Sequence, residues 1–509
     1  MSISIYKAPI AEGVQLVTRL LIDEFNIEPF HAETVATQEA KPHFDKYLDT
    51  CVIFAESGYV DRVFRDSYYH YYSSKLANYK RDCIRLSFFE GDLDLSRWRS
   101  SDYFNEVKSN YRGYMILRPV IPFIIGRSAI SPKLLKDNNF QICSTTLQTS
   151  FNGTKLSVEA FPHSSQDTET ISCAETTLWA IMEYFSNRYP DYTSVLPSKI
   201  HYTLNKITTE RQIPSRGLSI PQLSFALREF GFGTRIYFRD EYNEDFDRLI
   251  STYIESGIPL IIGIDNFPTG TIGHAVICVG HENISNEQID NLTAYTFSNI
   301  EIQNAIVAGG HAIYDYDAIS KEFIFIDDNF PSYQKAELNN PTIHYMPSWH
   351  TCAIKHFIVP LYHKIYLEAV EVKNFVIKFL LLGPEPLSAN SNLLIKTFLT
   401  SSRSFKDGLS LESEFDSNVK EIILGLSLPK FIWVSELSTK TLLKEKKAQG
   451  LIILDATEPN ISFFKPLIFA AYNDFILTQK AIEGGIEKKV LPLPHFKCFI
   501  NNLKAINYD

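Results

Sequence analysis

Hydrophobic positions along the chain recur with helical spacing in some stretches and as short β-type runs in others, and the mixture changes twice. Residues 1–145 open with helical patterning, pass through an aromatic-rich segment at 59–89, and reach GYMILRPVIPFIIGRSAISP at 113–132. That last piece reads as strands broken by Pro119, Pro122 and Gly126. The middle, 146–358, predicts a helix after Cys173 (AETTLWAIMEYF), a second at 220–230 and a third near 243–256. Short β-type runs follow: IPLIIGI at 258–264, HAVICVG at 274–280 and EFIFID at 322–327. Helices first and antiparallel strands later is an α+β order. The last region, 359–509, predicts strands at 367–382 (LEAVEVKNFVIKFLLL), 393–402, 431–436 and 450–457 among helical stretches, as in a smaller mixed α/β domain.

Length agrees with this division, since 509 residues exceed what one ordinary core holds. A composition of 45% hydrophobic and 21% charged residues, with no low-complexity tract, is that of a folded chain. The Tyr and Arg abundance at 59–89 reads as an aromatic core with snorkelling cations. A formal charge of -10 argues against nucleic acid as a partner, because a phosphate-tracking surface needs clustered cations. The start MSISIYKAPIAEG has no leader pattern and no window offers a membrane-length apolar run, so neither secretion nor a membrane partner is expected. Seven cysteines, odd in number and without CxxC pairs, suggest neither a disulfide framework nor a zinc site, and a reduced, cytoplasmic protein is expected. His201, His274, His281, His311 and His344 show no HxxxH or HExxH pairing, and no Walker-type or GxGxxG loop is present, so no metal and no other cofactor is expected.

Candidate chemistry gathers in the middle region. Cys173 precedes a helix whose stripe of Leu178, Ile181, Met182 and Phe185 would anchor it, and a helix N-terminus favours a thiolate. Gln166, seven residues upstream, could join the Cys173 backbone N–H as a donor to a developing oxyanion. His274 opens an apolar strand between Gly273 and the small Ala275. The strand EFIFIDDNF ends in Asp327, Asp328 and Asn329, any of which could orient an imidazole. Each residue alone has an ordinary structural explanation; the order Gln, Cys on a helix tip, His starting a strand, Asp ending the next is what singles them out.

On these residues the stretch 155–335 resembles the papain-like superfamily in its bacterial form and is similar to the C39-like peptidases: QDTETISCAETTLWAIMEYF, GHAVICVG and FIFIDDNF carry the likeness. The resemblance implies a papain-like central domain, with Cys173 as nucleophile, His274 as base, Gln166 as oxyanion donor and Asp327 as the orienting acid. Two departures stand out. The Gln-to-Cys spacing is one residue longer than the resemblance implies. About forty residues separate HAVICVG from EFIFID and contain a second GHA, so His311, sixteen positions before Asp327, rivals His274. His274 is preferred because it leads into an uninterrupted apolar strand, whereas HAIYDYD after His311 is acidic and suits an edge or loop. Asp328 rivals Asp327, since neighbours on a strand face opposite sides and the register is open.

The expected function is cleavage of a peptide or isopeptide bond in a protein or peptide substrate through a thioester. The alternatives are acyl transfer to an amine, as in transglutaminase-like enzymes, and a non-catalytic scaffold whose flanking domains, 1–145 and 359–509, bind a protein partner.

Overall fold

The computed structural model describes residues 4–98, 100, 102–297, 299–479 and 485–505. It is a mixed α+β protein built on several mainly antiparallel sheets. The N-terminal pattern forms a five-stranded antiparallel meander in the order Ile5–Pro9, Cys51–Tyr59, Cys83–Glu90, Tyr111–Leu117, Ile125–Ile130. Pro119 and Pro122 lie in the connection between the last two strands, where no ladder donor is needed, whereas Gly126 lies inside the final strand. Aromatic rings fill this unit: Phe54, Phe89, Trp98 and Phe151 meet mostly edge to face at centroid distances of 5.0–5.9 Å. Phe151 belongs to the hairpin Thr145–Phe151/Thr154–Ala160, whose Asn152-Gly153 turn has φ of 44° and 82°. An Asn-Gly pair adopts that conformation readily.

The central sheet runs Gln334–Ala336, Phe323–Ile326, Gly273–Glu282, Leu260–Asp265, Ala353–Tyr362, Phe232–Phe238, each pair antiparallel. Against it packs the helix Cys173–Arg188, in which every residue from Ala174 to Phe185 is buried. The expected apolar stripe is thus part of a helix enclosed on all sides; among its polar members Glu183 pairs with Arg62 at 2.7 Å, while the Trp179 indole nitrogen is buried without a hydrogen-bond partner.

The third sheet has seven strands, Ala312–Asp315, Asn392–Ser401, Phe431–Ser438, Gly450–Asp455, Leu467–Tyr472, Phe475–Gln479 and Ile486–Val490. The segment 367–382, expected as strand, is instead the helix Ala369–Leu382. Six of its eight buried residues, Ala369, Val372, Phe375, Val376, Phe379 and Leu380, follow the 3–4 spacing of a helix face, with Ile377 and Leu381 buried beside them, and Glu368 with Glu371 closes a capping box. The β-branched residues suggested a strand; burial of one helical face decided otherwise.

Between the strands Gly273–Glu282 and Phe323–Ile326 the chain makes an excursion. It forms the helices Asn286–Asn291 and Ile300–Gly309, then the strand Ala312–Asp315, which pairs in parallel with Asn392–Ser401 at the edge of the seven-stranded sheet. Sheet membership likewise crosses position 145: Phe140–Ile142 pairs with Gly273–Glu282, and Lys504–Ala505 pairs with Phe140–Ile142. Buried polar links join the central and C-terminal units. Lys396 pairs with Glu255 at 2.9 Å, and the Asn502 side-chain amide donates to the backbone oxygens of Glu255 and Leu399 at 3.0 Å. No helix among the described residues is long and apolar enough to cross a membrane.

Candidate active site

Cys173 is the first residue of its helix, as the polar SSQDTETIS before it predicts. Ser172 caps the helix and Glu175 closes a capping box with it. The first N–H groups of a helix have no partner within it, so the Cys173 amide is available to a ligand. Cys173 is partly exposed, unlike Cys51, Cys83, Cys143, Cys278 and Cys352, which are buried.

The loop before it is braced. The Asp167 carboxylate accepts the backbone N–H groups of Glu169, Thr170 and Ile171 at 3.0, 2.7 and 2.9 Å. Arg118, from the break in the N-terminal meander, donates to the backbone oxygens of Ser165 and Gln166 at 3.0 and 2.5 Å. The N-terminal unit therefore helps hold the loop that leads into the cysteine helix. One turn into the helix, Thr177 donates to Cys173 O at 2.6 Å and lies 3.5 Å from Ala275 O, which ties the cysteine turn to the start of the histidine strand.

His274 stands at the end of the central strand, paired in register with Ile264. On its other side Ile277 pairs with Ile326, so Asp327 emerges just beyond the ladder and turns to the imidazole. His274 Nε2 lies 3.1 Å from Asp327 Oδ1 and 3.6 Å from Asp328 Oδ1. With Nε2–H donated to Asp327, Nδ1 is the ring nitrogen left for the Cys173 thiol, which lies near enough to His274 to favour the charged imidazole. Burial opposes a charged imidazole here. The Asp327 charge and hydrogen bond, with the thiol and Asp328 added, outweigh it and hold His274 well above its ordinary value. Burial likewise opposes an ionised Asp327, yet His274, His344 and the Asn329 N–H hold its carboxyl far below the usual range. Asp328 behaves in the opposite way. Burial pushes it up to about 7, the Asp327 charge adds to this, and His274 offsets only part.

A polar relay runs through the site. The Gln166 side-chain amide donates to Asn329 Oδ1 at 2.7 Å, Asn329 Nδ2 donates to the Tyr345 hydroxyl at 3.2 Å, and that hydroxyl donates to Asp327 Oδ2 at 2.7 Å. Trp349 stacks on Tyr345 at 4.2 Å and meets His274 at right angles at 5.7 Å, limiting water around the imidazole. His163, fully buried, faces the backbone oxygens of both Asp327 and Phe330 through Nε2 at 3.1 Å and Ser128 Oγ through Nδ1 at 3.0 Å. Burial keeps this imidazole below its ordinary value, so it is neutral. Two carbonyl acceptors require the proton on Nε2, with Nδ1 accepting from the serine hydroxyl.

The fold thus brings together Cys173, His274, Asp327 and Asp328, with Gln166 joined to them through Asn329. It does not bring His311 there: His311 follows the helix Ile300–Gly309 and precedes the strand Ala312–Asp315 in the seven-stranded sheet, with Nδ1 buried and unpartnered. Between the two aspartates, Asp327 makes the shorter contact and is the one that also bonds to Tyr345, His344 and the Asn329 N–H, whereas Asp328 has no side-chain hydrogen bond. Sequence reasoning missed Arg118, His163, His344, Tyr345 and Trp349. The dense His, Tyr and Trp content of HYMPSWH at 344–350 was a usable signal. His274, Asp327 and Asp328 also form the group among the described residues whose ligand atoms, all within 4.8 Å of one another, could hold a metal ion, a set that motif spacing does not reveal.

No family model matches the chain, and no curated protein matches it.

Proposed function

We propose that the chain is a cysteine hydrolase of papain-like arrangement, spanning about 146–358, that cleaves a peptide or isopeptide bond of a protein or peptide substrate. One observation carries this reading: a partly exposed thiol on a helix N-terminus beside an imidazole whose Nε2 is held by a buried carboxylate. That is the constellation of a nucleophile, its base and the group orienting the base.

In the reaction, Cys173 passes its proton to His274 and the thiolate sulfur attacks the carbonyl carbon. The oxygen takes up negative charge facing the Cys173 backbone N–H, with the Gln166 amide as the second donor. The C–N bond breaks, the amine leaves with the His274 proton, and a thioester remains. Water then attacks the thioester while His274 takes its proton, and the thiolate departs. Asp327 stabilises the imidazolium throughout and fixes its tautomer. With an amine instead of water the same thioester gives acyl transfer.

The test labels the full chain with iodoacetamide at neutral pH and maps the modified residue, then assays a thioester or activated-ester substrate with and without an added amine. Cys173 should be labelled first, Cys173→Ala should lose turnover, and product masses identify the acceptor. Preferential labelling of Cys498, the other partly exposed thiol, or full turnover by Cys173→Ala would reject the proposal.

A further inference from the structure

Asp328 has no task in the thiol mechanism, and its placement is costly. Its side chain is 5% exposed, and neither carboxylate oxygen has a hydrogen-bond partner. A buried carboxylate without hydrogen bonds is unfavourable unless a proton or a cation neutralises it, and the imidazolium 3.6 Å away is shared with Asp327. Its Oδ1 lies toward the same nitrogen, His274 Nε2, that Asp327 Oδ1 already faces.

The geometry fits a small divalent ion. Four-coordinate zinc binds imidazole nitrogen and carboxylate oxygen at about 2.0–2.1 Å, which sets ligand atoms about 3.3 Å apart in a tetrahedron. Two of the three ligand separations, Nε2–Oδ1 of 3.1 Å to Asp327 and 3.6 Å to Asp328, bracket that value, and the two carboxylates lie within 4.8 Å of each other. Two carboxylates would balance the charge of the ion, and one imidazole favours zinc over magnesium or calcium, which prefer oxygen. Asp327 is already held from behind, since its Oδ2 accepts from Tyr345 at 2.7 Å and lies 3.4 Å from His344 Nε2. Such second partners fix the orientation of a ligating group.

We propose that His274 Nε2, Asp327 and Asp328 form a zinc site that switches the thiol centre off. Binding displaces the Nε2 proton to solvent and puts the metal on that nitrogen, which leaves the remaining proton on Nδ1. A metallated imidazole in that tautomer has no lone pair to take the Cys173 proton. The thiolate loses its imidazolium partner, takes a proton from solvent, and is no longer a nucleophile. Three protein ligands leave a fourth position for water. The effect on catalysis rests on the thiol reading given above; the binding itself does not.

The experiment measures Zn2+ uptake by equilibrium dialysis of the full chain, in parallel with the iodoacetamide rate at Cys173. Wild type and Cys173→Ala should each bind one ion per chain with equal affinity. Asp328→Asn and Asp328→Ser, checked for folding by thermal melting, should bind more weakly by more than about 100-fold, beyond the 10–100-fold loss typical of a supporting partner. Saturating Zn2+ should slow labelling of wild type by at least about tenfold and leave the Asp328 variants' labelling rates unchanged. Wild-type affinity in either folded Asp328 variant overturns the site. Loss of binding in Cys173→Ala also overturns it, because the ion would then sit on the thiol. If Cys173 proves uninvolved in turnover while dialysis follows the expected pattern, the zinc site stands and only the switch fails.

Discussion

Replacing Asp327 by Asn keeps the shape of the orienting group and removes its charge. At 3.1 Å from Nε2 the His274–Asp327 attraction is about 5 kcal/mol for an effective dielectric of roughly 20. Not all of it is lost. Asp328, 3.6 Å from the same nitrogen, ionises more easily once the neighbouring charge is gone and replaces roughly half. A net loss of about 2–3 kcal/mol corresponds to about a 30- to 150-fold smaller fraction of thiolate–imidazolium pair. The assay is the second-order rate of iodoacetamide labelling of Cys173 at pH 6, where an ordinary thiol is almost wholly protonated. Asp327→Asn should fall by that factor, and the Asp327→Asn/Asp328→Asn double variant should fall further. A change of less than about threefold in the single variant would refute the electrostatic reasoning, and a larger loss in Asp328→Asn alone would reverse the assignment of the two carboxylates.

Tyr345→Phe removes the donor to Asp327 Oδ2 and should slow turnover by about 10- to 100-fold, the equivalent of one hydrogen bond to a charged group, with little change in melting temperature. Gln166→Ala should lower turnover of an ester substrate by about 100-fold while leaving the iodoacetamide rate within about twofold, since alkylation develops no oxyanion. Leu178→Ala, at a fully buried position of the cysteine helix, should cost about 2–5 kcal/mol, read from urea unfolding. Glu436 is buried with its carboxyl pushed up to about 7, first by burial, so the folded protein holds this proton more tightly than the unfolded chain and its contribution to stability is lost as pH rises from about 4.5 to 7. Glu436→Gln should flatten that dependence and stabilise the protein at pH 8 by up to about 3 kcal/mol relative to wild type, measured by urea unfolding at pH 5 and 8.

Chemistry that depends on a single local environment was legible in the residues. Cys173 could be set at a helix tip because the polar turn before it and the apolar helix after it are adjacent in sequence, and helix termini are local. His274 was readable as the start of an apolar strand for the same reason. The helix at 369–382 was not, because Val and Ile content suggests a strand and only the side that becomes buried selects the period. Choosing His274 over His311 also lay beyond local pattern: both follow a glycine and precede an alanine, but strand pairing carries one into the central sheet and the other to the edge of the seven-stranded sheet.

Asp327 and Asp328 were inseparable by composition; both lie beyond the end of their strand, so alternation does not part them, and both reach His274 Nε2, at 3.1 and 3.6 Å, while Asp327 gains hydrogen bonds and Asp328 does not. Arg118, His163 and Tyr345 reach the site from segments far apart in the chain, and only closure of the fold gives them partners. Sequence alone therefore determined which residues stand at a helix tip, a turn or a strand start, because caps, turns and strand starts are set by neighbours along the chain. Tertiary structure decided which of them meet, because contact across sheets depends on register and on burial that no local pattern encodes.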